Sequence, residues 1–123
     1  MIKDKQLKSA FQHIVSSREK KRNNIIYLCG QVGSEVKYVS TMSGRKKAYF
    51  NVSTKNYFEN KSGQKELLWH SIVAWGTMAD NVTEYLKIGD LVFITGRIHC
   101  RKYTDKNNQQ KIFTEVVVEQ FNK

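Results

Sequence analysis

The sequence predicts an all-β domain that contains a single helix. Apolar and polar residues alternate with a period of two along most of the 123-residue chain, as expected of strands with one buried face. Within residues 25–121 the period changes to 3.6 once, between Gly76 and Asp90. Polar or glycine-containing segments separate these stretches. Three strands, a helix and two further strands are therefore expected, in that order, after a basic N-terminal segment.

The first two strands are expected on either side of a basic turn. Residues 25–40, IIYLCGQVGSEVKYVS, form a strand pattern that glycine interrupts. Gly30 and Gly33 mark a bend or a bulge, because a glycine inside a strand has no side chain to pack. The turn SGRKK (43–47) leads into the second strand, AYFNVSTKNYF (48–58), where apolar and polar residues alternate again.

The third strand, LLWHSIVAW (67–75), contains both tryptophans of the chain. Strand alternation divides its side chains into two sets, which are Leu68, His70, Ile72 and Ala74, and Trp69, Ser71, Val73 and Trp75. Medium-sized apolar side chains fill a small barrel, so we expect the first set inside and the second set outside. Because tryptophan is mostly buried in proteins, packing in the core or against another subunit is the alternative for both indoles.

The helix is expected between residues 76 and 90, where Met78, Val82, Tyr85 and Leu86 form one apolar stripe. We expect Thr77 to cap its first turn together with Asp80, and Gly89 to lie just beyond its C-terminus.

Two strands follow the helix, and they are joined by a long polar hairpin loop. They are predicted over LVFITGRIHC (91–100) and IFTEVVVEQF (112–121), with the loop at 101–111. A helix between the third and fourth of five strands is the order of the OB-fold, a partly open five-stranded barrel. The OB-fold domain is expected to cover residues 24–123. Residues 1–23 would form a basic extension whose apolar residues recur at helical spacing.

The charge of the chain favours an anionic partner. Lys and Arg number 21 against 11 Asp and Glu, which gives a formal charge of +10. Nucleic acid and an anionic membrane surface both fit this balance. Nothing in the sequence is apolar enough to span a membrane, and the N-terminal segment lacks the apolar core of a secretory signal. A mitochondrial presequence is the minority alternative to a cytoplasmic location. Cys29 and Cys100 have no zinc-ligand spacing, so we expect reduced thiols, no metal and no cofactor.

Aromatic residues occur together with basic residues at strand ends. Tyr57 and Phe58 end the second strand, and Tyr103 follows Arg101 and Lys102 at the start of the hairpin. Stacking of one base on such a ring contributes about 1–3 kcal/mol whatever the base. A duplex hides the faces of its bases, and basic side chains neutralise phosphates. This composition therefore favours unpaired nucleic acid as the ligand.

Several segments resemble the bacterial and mitochondrial single-stranded DNA-binding protein family. They are WHSIVAWG (69–76), EYLKIGDLVFITGRIHCRKYTD (84–105), FTEVVVEQF (113–121), FNVST (50–54) and IIYLCGQVG (25–33). The resemblance covers residues 24–121. It implies a non-enzymatic homotetramer of OB-folds that binds single-stranded DNA without sequence preference, in replication, repair or recombination, in the bacterial cytoplasm near the nucleoid.

The resemblance also implies roles for individual residues. Trp69, Trp75 and Tyr103 correspond to base-stacking positions, and a fourth corresponds to Phe58 or, with a gap in the alignment, to Tyr57. His70 corresponds to a histidine at a subunit contact. Basic residues expected to contact phosphate are Arg101, Lys102 and Lys87, together with Lys106 and Lys111 of the hairpin.

The sequence departs from the family pattern at its end and at three basic positions. The chain ends in FNK, without the glycine-rich linker and acidic tip of typical bacterial members, so recruitment of other enzymes through such a tip is doubtful. Ser71, Thr77 and His99 replace residues that are Arg or Lys in many members. An OB-fold that binds RNA, or one that binds protein as primosome components do, is the alternative function. The scattered carboxylates form no convincing pair for a nuclease.

Overall fold

The computed structural model describes residues 23–59 and 65–123, and side chains at 23–55 and 66–123. Its elements are β1 (Ile26–Val32), β2 (Lys37–Ser40), β3 (Lys46–Glu59), β4 (Lys65–Trp75), α1 (Thr77–Tyr85), β5 (Leu91–Thr104) and β6 (Gln110–Asn122). Within these described residues, the predicted all-β domain with one helix is therefore confirmed. The helix lies between β4 and β5, as the OB-fold order requires.

The first predicted strand consists of two strands, because its regular pairing with β3 is interrupted between Val32 and Lys37. The N–H of Gly33 donates to the carbonyl of Asn51 at 2.9 Å, and the N–H of Val32 donates to that of Asp90 at 2.8 Å. These two bonds attach the end of β1 to β3 on one side and to the segment before β5 on the other. β2 then pairs with β3 alone.

The predicted hairpin loop is also mostly strand. β5 continues to Thr104 and β6 begins at Gln110, so that a short turn joins them. The carboxylate of Asp105 closes this turn, because its Oδ1 accepts the N–H groups of Asn107 and Gln109, both at 2.9 Å. An aspartate that binds backbone two residues ahead is typical of a tight turn.

The sheet closes on itself. Its strand order is β1-β5-β6-β4-β3-β2, and β1 also pairs with β3, through Gln31 with Ser53 and Val32 with Val52. Strands β1, β5, β6, β4 and β3 therefore form a ring, and β2 extends the sheet beyond it. The pairing of β4 with β6 is parallel, whereas the other pairings are antiparallel.

The interior of the ring holds the core. Alternate residues of the strands point inward and are buried, and Ala79, Val82 and Leu86 close one end from α1 and the residue after it. β5 bends onto β6 at a register shift between Thr95 and Gly96. A Cβ at position 96 would overlap the carbonyl oxygen of Val117, so only glycine allows this close approach. The strand residues of the core are Leu28, Val32, Ala48, Phe50, Val52, Ile72, Ala74, Val92, Ile94, Val116 and Val118.

Thr77 does not cap α1, so this prediction is wrong. The residue before the helix is Gly76, with φ of 61° and no side-chain cap, and Thr77 is the first helical residue. Gly76 is the single residue between β4 and α1. Its N–H donates to the carbonyl of Lys46 in β3 at 3.0 Å, which continues the pairing of β4 with β3 up to the start of the helix. Asp80 lies in the first turn as predicted, where it accepts a hydrogen bond from Lys46 Nζ at 2.9 Å.

Gly89 lies in the turn after α1 and not directly at its end. The helix ends at Tyr85 with Leu86 as its C-cap, and Gly89 follows with φ of 94°. Its N–H donates to the carbonyl of Val32 at 2.8 Å. A positive φ strongly favours glycine here, and the turn is thereby attached to the end of β1.

Residues 1–22 of the predicted basic extension lie outside the described residues. The described chain begins beside β5, where the Asn24 amide donates to the carbonyl of Ile98 at 2.9 Å and accepts its N–H at 3.0 Å. The domain boundary at residue 24 stays a prediction. No helix in residues 23–59 and 65–123 is long and apolar enough to cross a membrane.

A pair of isoleucines tests the position of the core. Ile72 in β4 is 1% exposed, whereas Ile88 after α1 is 59% exposed. Ile72→Ala should lower the free energy of unfolding by about 2–5 kcal/mol, because it removes buried methyl groups and leaves a cavity. The matched change Ile88→Ala should change it by about 0.5 kcal/mol or less. Equilibrium unfolding in urea measures both, and equal effects would contradict the assignment of the core.

Candidate nucleic-acid interface

One surface of the sheet carries both tryptophans. Directly opposed residues of antiparallel strands point to the same side. The register of β3 and β4 opposes Lys47 with Trp75, Tyr49 with Val73, Asn51 with Ser71, and Ser53 with Trp69. Because their neighbours Phe50, Ile72 and Ala74 fill the core, these eight side chains form the outer face of the ring. The predicted placement of both indoles outside the core is therefore correct.

Two other residues of β4 differ from their predicted environment. Val73 belongs to the outer face but is only 1% exposed, because it lies between Tyr49 of β3 and Val117 of β6. Leu68 belongs to the inner set but is 47% exposed. It opposes Thr54, which lies beyond the Gln31–Ser53 pair where β1 closes the ring. Alternation thus gives the side of the sheet correctly, and burial depends on the neighbouring strands.

The Trp69 indole is an exposed ring that the backbone supports. Its side chain is 59% exposed, and it packs on Gly33, where a Cβ would overlap the ring carbon Cζ3. The backbone of Gly33 is itself fixed by its hydrogen bond to Asn51. A fixed ring with much of its surface exposed can stack on a base.

The Trp75 indole is half-buried and carries two cations over its ring. Arg45 Cζ lies 4.0 Å from the ring centroid, and Lys47 Nζ lies 5.5 Å from it. Lys47 Nζ is also 5.7 Å from the centroid of the Tyr49 ring. These distances are within the range of cation–π attraction. Trp75 therefore presents a different surface from Trp69, which lies six residues away on the same strand, roughly 20 Å at about 3.3 Å per residue.

The β5–β6 hairpin continues the outer face. Val117 of β6 pairs in parallel with Val73, so the residues that alternate with it point outward too. Opposed to them on β5 are Arg97, His99, Arg101 and Tyr103. The Arg101 guanidinium lies 4.9 Å from the ring of Phe113, and Tyr103 is exposed. The structure therefore brings Arg101 and Tyr103 to the same face as Trp69 and Trp75.

Lys102 lies on the opposite face of the hairpin from Arg101. Successive strand residues alternate, and Lys102 opposes the exposed Ile112. Of the other predicted basic residues in this hairpin, Lys106 is exposed in the turn. Lys111 opposes Tyr103 on the outer face, and its Nζ lies 3.4 Å from Asp105 Oδ2. The predicted phosphate contacts therefore do not form one continuous row.

Lys87 lies in the turn that follows α1, and its side chain is exposed. Its backbone N–H donates to Asp90 Oδ2 at 2.9 Å. The same turn is bonded through Gly89 to Val32, next to the glycine that supports Trp69. This chain of contacts attaches Lys87 to the end of β1 that lies under the Trp69 ring.

Tyr57 and Phe58 belong to β3, but their side chains lie outside the described part of the structure. Their predicted role in stacking stays a prediction.

His70 points inward, as predicted from its alternation with the tryptophans. It opposes Val52, is half-buried, and its Nε2 lies 2.8 Å from the hydroxyl oxygen of Thr54. Burial lowers the pKa of His70, which favours the neutral ring at neutral pH. This inward, hydrogen-bonded position is compatible with the predicted subunit contact, which stays a prediction.

Sequence reasoning missed the two cations that contact Trp75. It treated SGRKK as a turn and gave Arg45, Lys47 and Tyr49 no role. These residues alternate in step with Asn51 and Ser53, which point outward from β3. It also missed Glu115, which is 7% exposed on the outer face and has its Oε1 3.2 Å from His99 Nδ1. In residues 23–59 and 65–123, no group of three or more His, Cys, Asp or Glu side chains could hold a metal ion.

Comparison with known proteins places this geometry in a family. A family model described as the single-strand binding protein family matches residues 23–123. A protein of Chlorobaculum tepidum named single-stranded DNA-binding protein 1 is 38% identical over 97 residues, covering 76% of this chain and 60% of that protein. A Streptococcus pyogenes protein of the same name is 36% identical over 99 residues, covering 80% of this chain and 75% of the other. The matched part thus spans three fifths to three quarters of these relatives.

A solved structure is similar over most of this domain. It is described as Plasmodium falciparum SSB complex with ssDNA, and it superposes with a TM-score of 0.70 at 29% sequence identity. The superposition covers 83% of this chain and 93% of that one.

The contact between Gly33 and Trp69 can be tested by fluorescence. In a Trp75→Phe background, Trp69 is the only tryptophan. Gly33→Ala should displace its ring from the backbone, because the new methyl group would overlap it. We expect a red-shifted emission maximum and stronger quenching by acrylamide than in the parent variant. Identical spectra and quenching in the two proteins would contradict the contact.

Proposed function

Because the chain belongs to the single-strand binding protein family, we propose that it binds single-stranded DNA without sequence preference. Its role would be to protect unpaired DNA during replication, repair or recombination. Members of this family bind DNA without enzymatic activity, and this agrees with the prediction that the protein is not an enzyme.

The exposed Trp69 ring is the observation that carries this proposal. The ring is 59% exposed and packs on Gly33, in a chain with a charge of +10, so that a base can stack on the exposed part of the ring. Arg101 and Tyr103 lie on the same face of the sheet. Stacking rings with nearby cations are the surface that unpaired nucleic acid requires. A duplex presents few base faces to such rings, so single strands should be preferred.

The proposed mechanism separates two kinds of contact. Bases stack on Trp69, Tyr103 and the aromatic residues at the end of β3, and each contact tolerates any base. Phosphates bind the exposed basic residues, so the affinity should fall with increasing salt. One OB-fold of this kind holds roughly 4–16 nucleotides. Arg101 and Lys102 lie on opposite faces of the hairpin, so they would contact different phosphates of the bound DNA.

We further propose that the chain forms a homotetramer. β1 pairs with β5 over Ile26–Gln31 but with β3 only through Gln31 and Val32. A strand that its own sheet pairs only in part on one side can pair there with a second copy. Leu68, Ile98 and Ile112 are exposed apolar residues that such assembly could cover, and His70 is the predicted contact residue.

The cytoplasmic location, close to the nucleoid, is also a proposal. It follows from the kind of ligand and from the bacterial relatives. Fluorescence microscopy of a tagged chain in its own host would test it, and a signal excluded from the DNA would contradict it.

Titration with defined oligonucleotides tests the main proposal. Oligo(dT) should quench tryptophan fluorescence, and duplex DNA of the same length should bind much more weakly. Trp69→Ala should weaken oligo(dT) binding by about 1–3 kcal/mol without lowering the melting temperature. Tyr85→Ala is the matched control, because this exposed aromatic side chain lies at the end of α1 and outside the outer face. It should bind like the wild type.

Titrations with oligo(U) and at two salt concentrations complete the experiment. Equal affinity for oligo(U) and oligo(dT) would favour the alternative of an RNA-binding module. No response to any nucleic acid would favour the protein-interaction alternative. If Trp69→Ala lowers the melting temperature and leaves the affinity unchanged, Trp69 is a packing residue and the stacking role is wrong.

The tetramer is tested by sedimentation equilibrium. The expected mass is four times that of one chain and does not change on dilution through the micromolar range. A mass of one chain at every concentration would contradict the proposal.

A further inference from the structure

Arg45 covers the ring of Trp75. Its guanidinium carbon is 4.0 Å from the ring centroid, which is contact distance for two flat groups. The Arg45 side chain is exposed and Trp75 is half-buried. A base that approaches this part of the outer face therefore meets the guanidinium before it meets the indole.

Hydrogen bonds fix the backbone of the turn that carries Arg45. Its N–H donates to the hydroxyl of Thr41 at 3.1 Å, and its carbonyl accepts the N–H of Thr41 at 2.8 Å. These bonds fix the turn between β2 and β3. β3 begins at the next residue and opposes Lys47 to Trp75. The turn and the register of the strands together direct Arg45 onto the indole.

A guanidinium has the shape and the charge to bind a nucleotide in two ways. It is planar, so one face can stack on the indole while the other stacks on a base. It also stays positively charged in the stack and attracts the adjacent phosphate. Lys47, with its Nζ 5.5 Å from the Trp75 centroid and 5.7 Å from the Tyr49 centroid, adds a second cation beside it.

We propose that Arg45 is itself a base-stacking residue, and that Trp75 supports it and does not contact the base directly. The nucleotide subsite is then a stack of three layers: indole, guanidinium and base, with Lys47 beside the phosphate. This proposal rests on the proposed binding of single-stranded DNA. It changes the predicted role of Trp75 from a stacking residue to a positioning residue.

Three variants test the layered stack with oligo(dT) at constant low salt. Arg45→Ala should weaken binding about 5- to 150-fold, the usual effect of losing one stacking contact. Arg45→Lys keeps the charge but loses the plane, so it should bind within about threefold of Arg45→Ala. Trp75→Ala should weaken binding as much as Arg45→Ala does. The double variant should be no more than about twofold weaker than either, because both changes remove one stack.

Other results would overturn the inference. If Arg45→Ala binds as tightly as the wild type or more tightly, Arg45 is a cap that a base displaces from Trp75. Wild-type affinity in Arg45→Lys would show that only its charge matters. Additive losses in the double variant would mean that Trp75 contacts the base itself. Each of these leaves wild-type binding of oligo(dT) intact, whereas failure of the wild type to bind would contradict the proposed function as well. Melting temperatures within a few degrees of the wild type confirm that the variants are folded.

Discussion

The burial of alternate residues inside the closed ring is the constraint on which the rest of the structure depends. Ile72 and Ala74 are fully buried in β4, and their packing fixes the register of that strand against β3. A slip of one residue would turn both tryptophans into the core and expose the aliphatic residues. The position of the aromatic rings on the outer face is thus a consequence of core packing, and it needs no separate stabilising interaction.

The same constraint places the two indoles in unlike surroundings. Trp69 lies where β1 closes the ring and rests on the backbone of Gly33. Trp75 lies at the other end of β4, beside the turn between β2 and β3, and its ring is covered by Arg45 and Lys47. One strand therefore presents an uncharged ring at one end and a charged stack at the other. An extended polymer of alternating bases and phosphates can contact both.

Much of this architecture can be predicted from the sequence because it depends on local periodicity. The alternation of apolar and polar residues predicted the strands, and the change to a helical period predicted α1. The alternation along β4 also predicted which of its side chains point into the ring and which point out. Features that depend on distant residues were not predictable. Val73 is buried by its parallel pairing with β6, and Gly33 contacts a ring 36 positions further along the chain. The predicted cap at Thr77 was wrong because Gly76, with a positive φ, occupies the N-cap position. Thr77 is therefore the first residue of the helix.

The support of Trp69 by Gly33 has a consequence for the thermodynamics of association. A free surface indole loses rotational freedom when a ligand immobilises it, and this loss opposes binding. Here the backbone beneath the ring already restricts its rotamers, so that entropy is lost when the chain folds. More of the stacking enthalpy then remains as affinity. The close packing of the ring on one glycine in this way converts folding stability into strength of ligand binding.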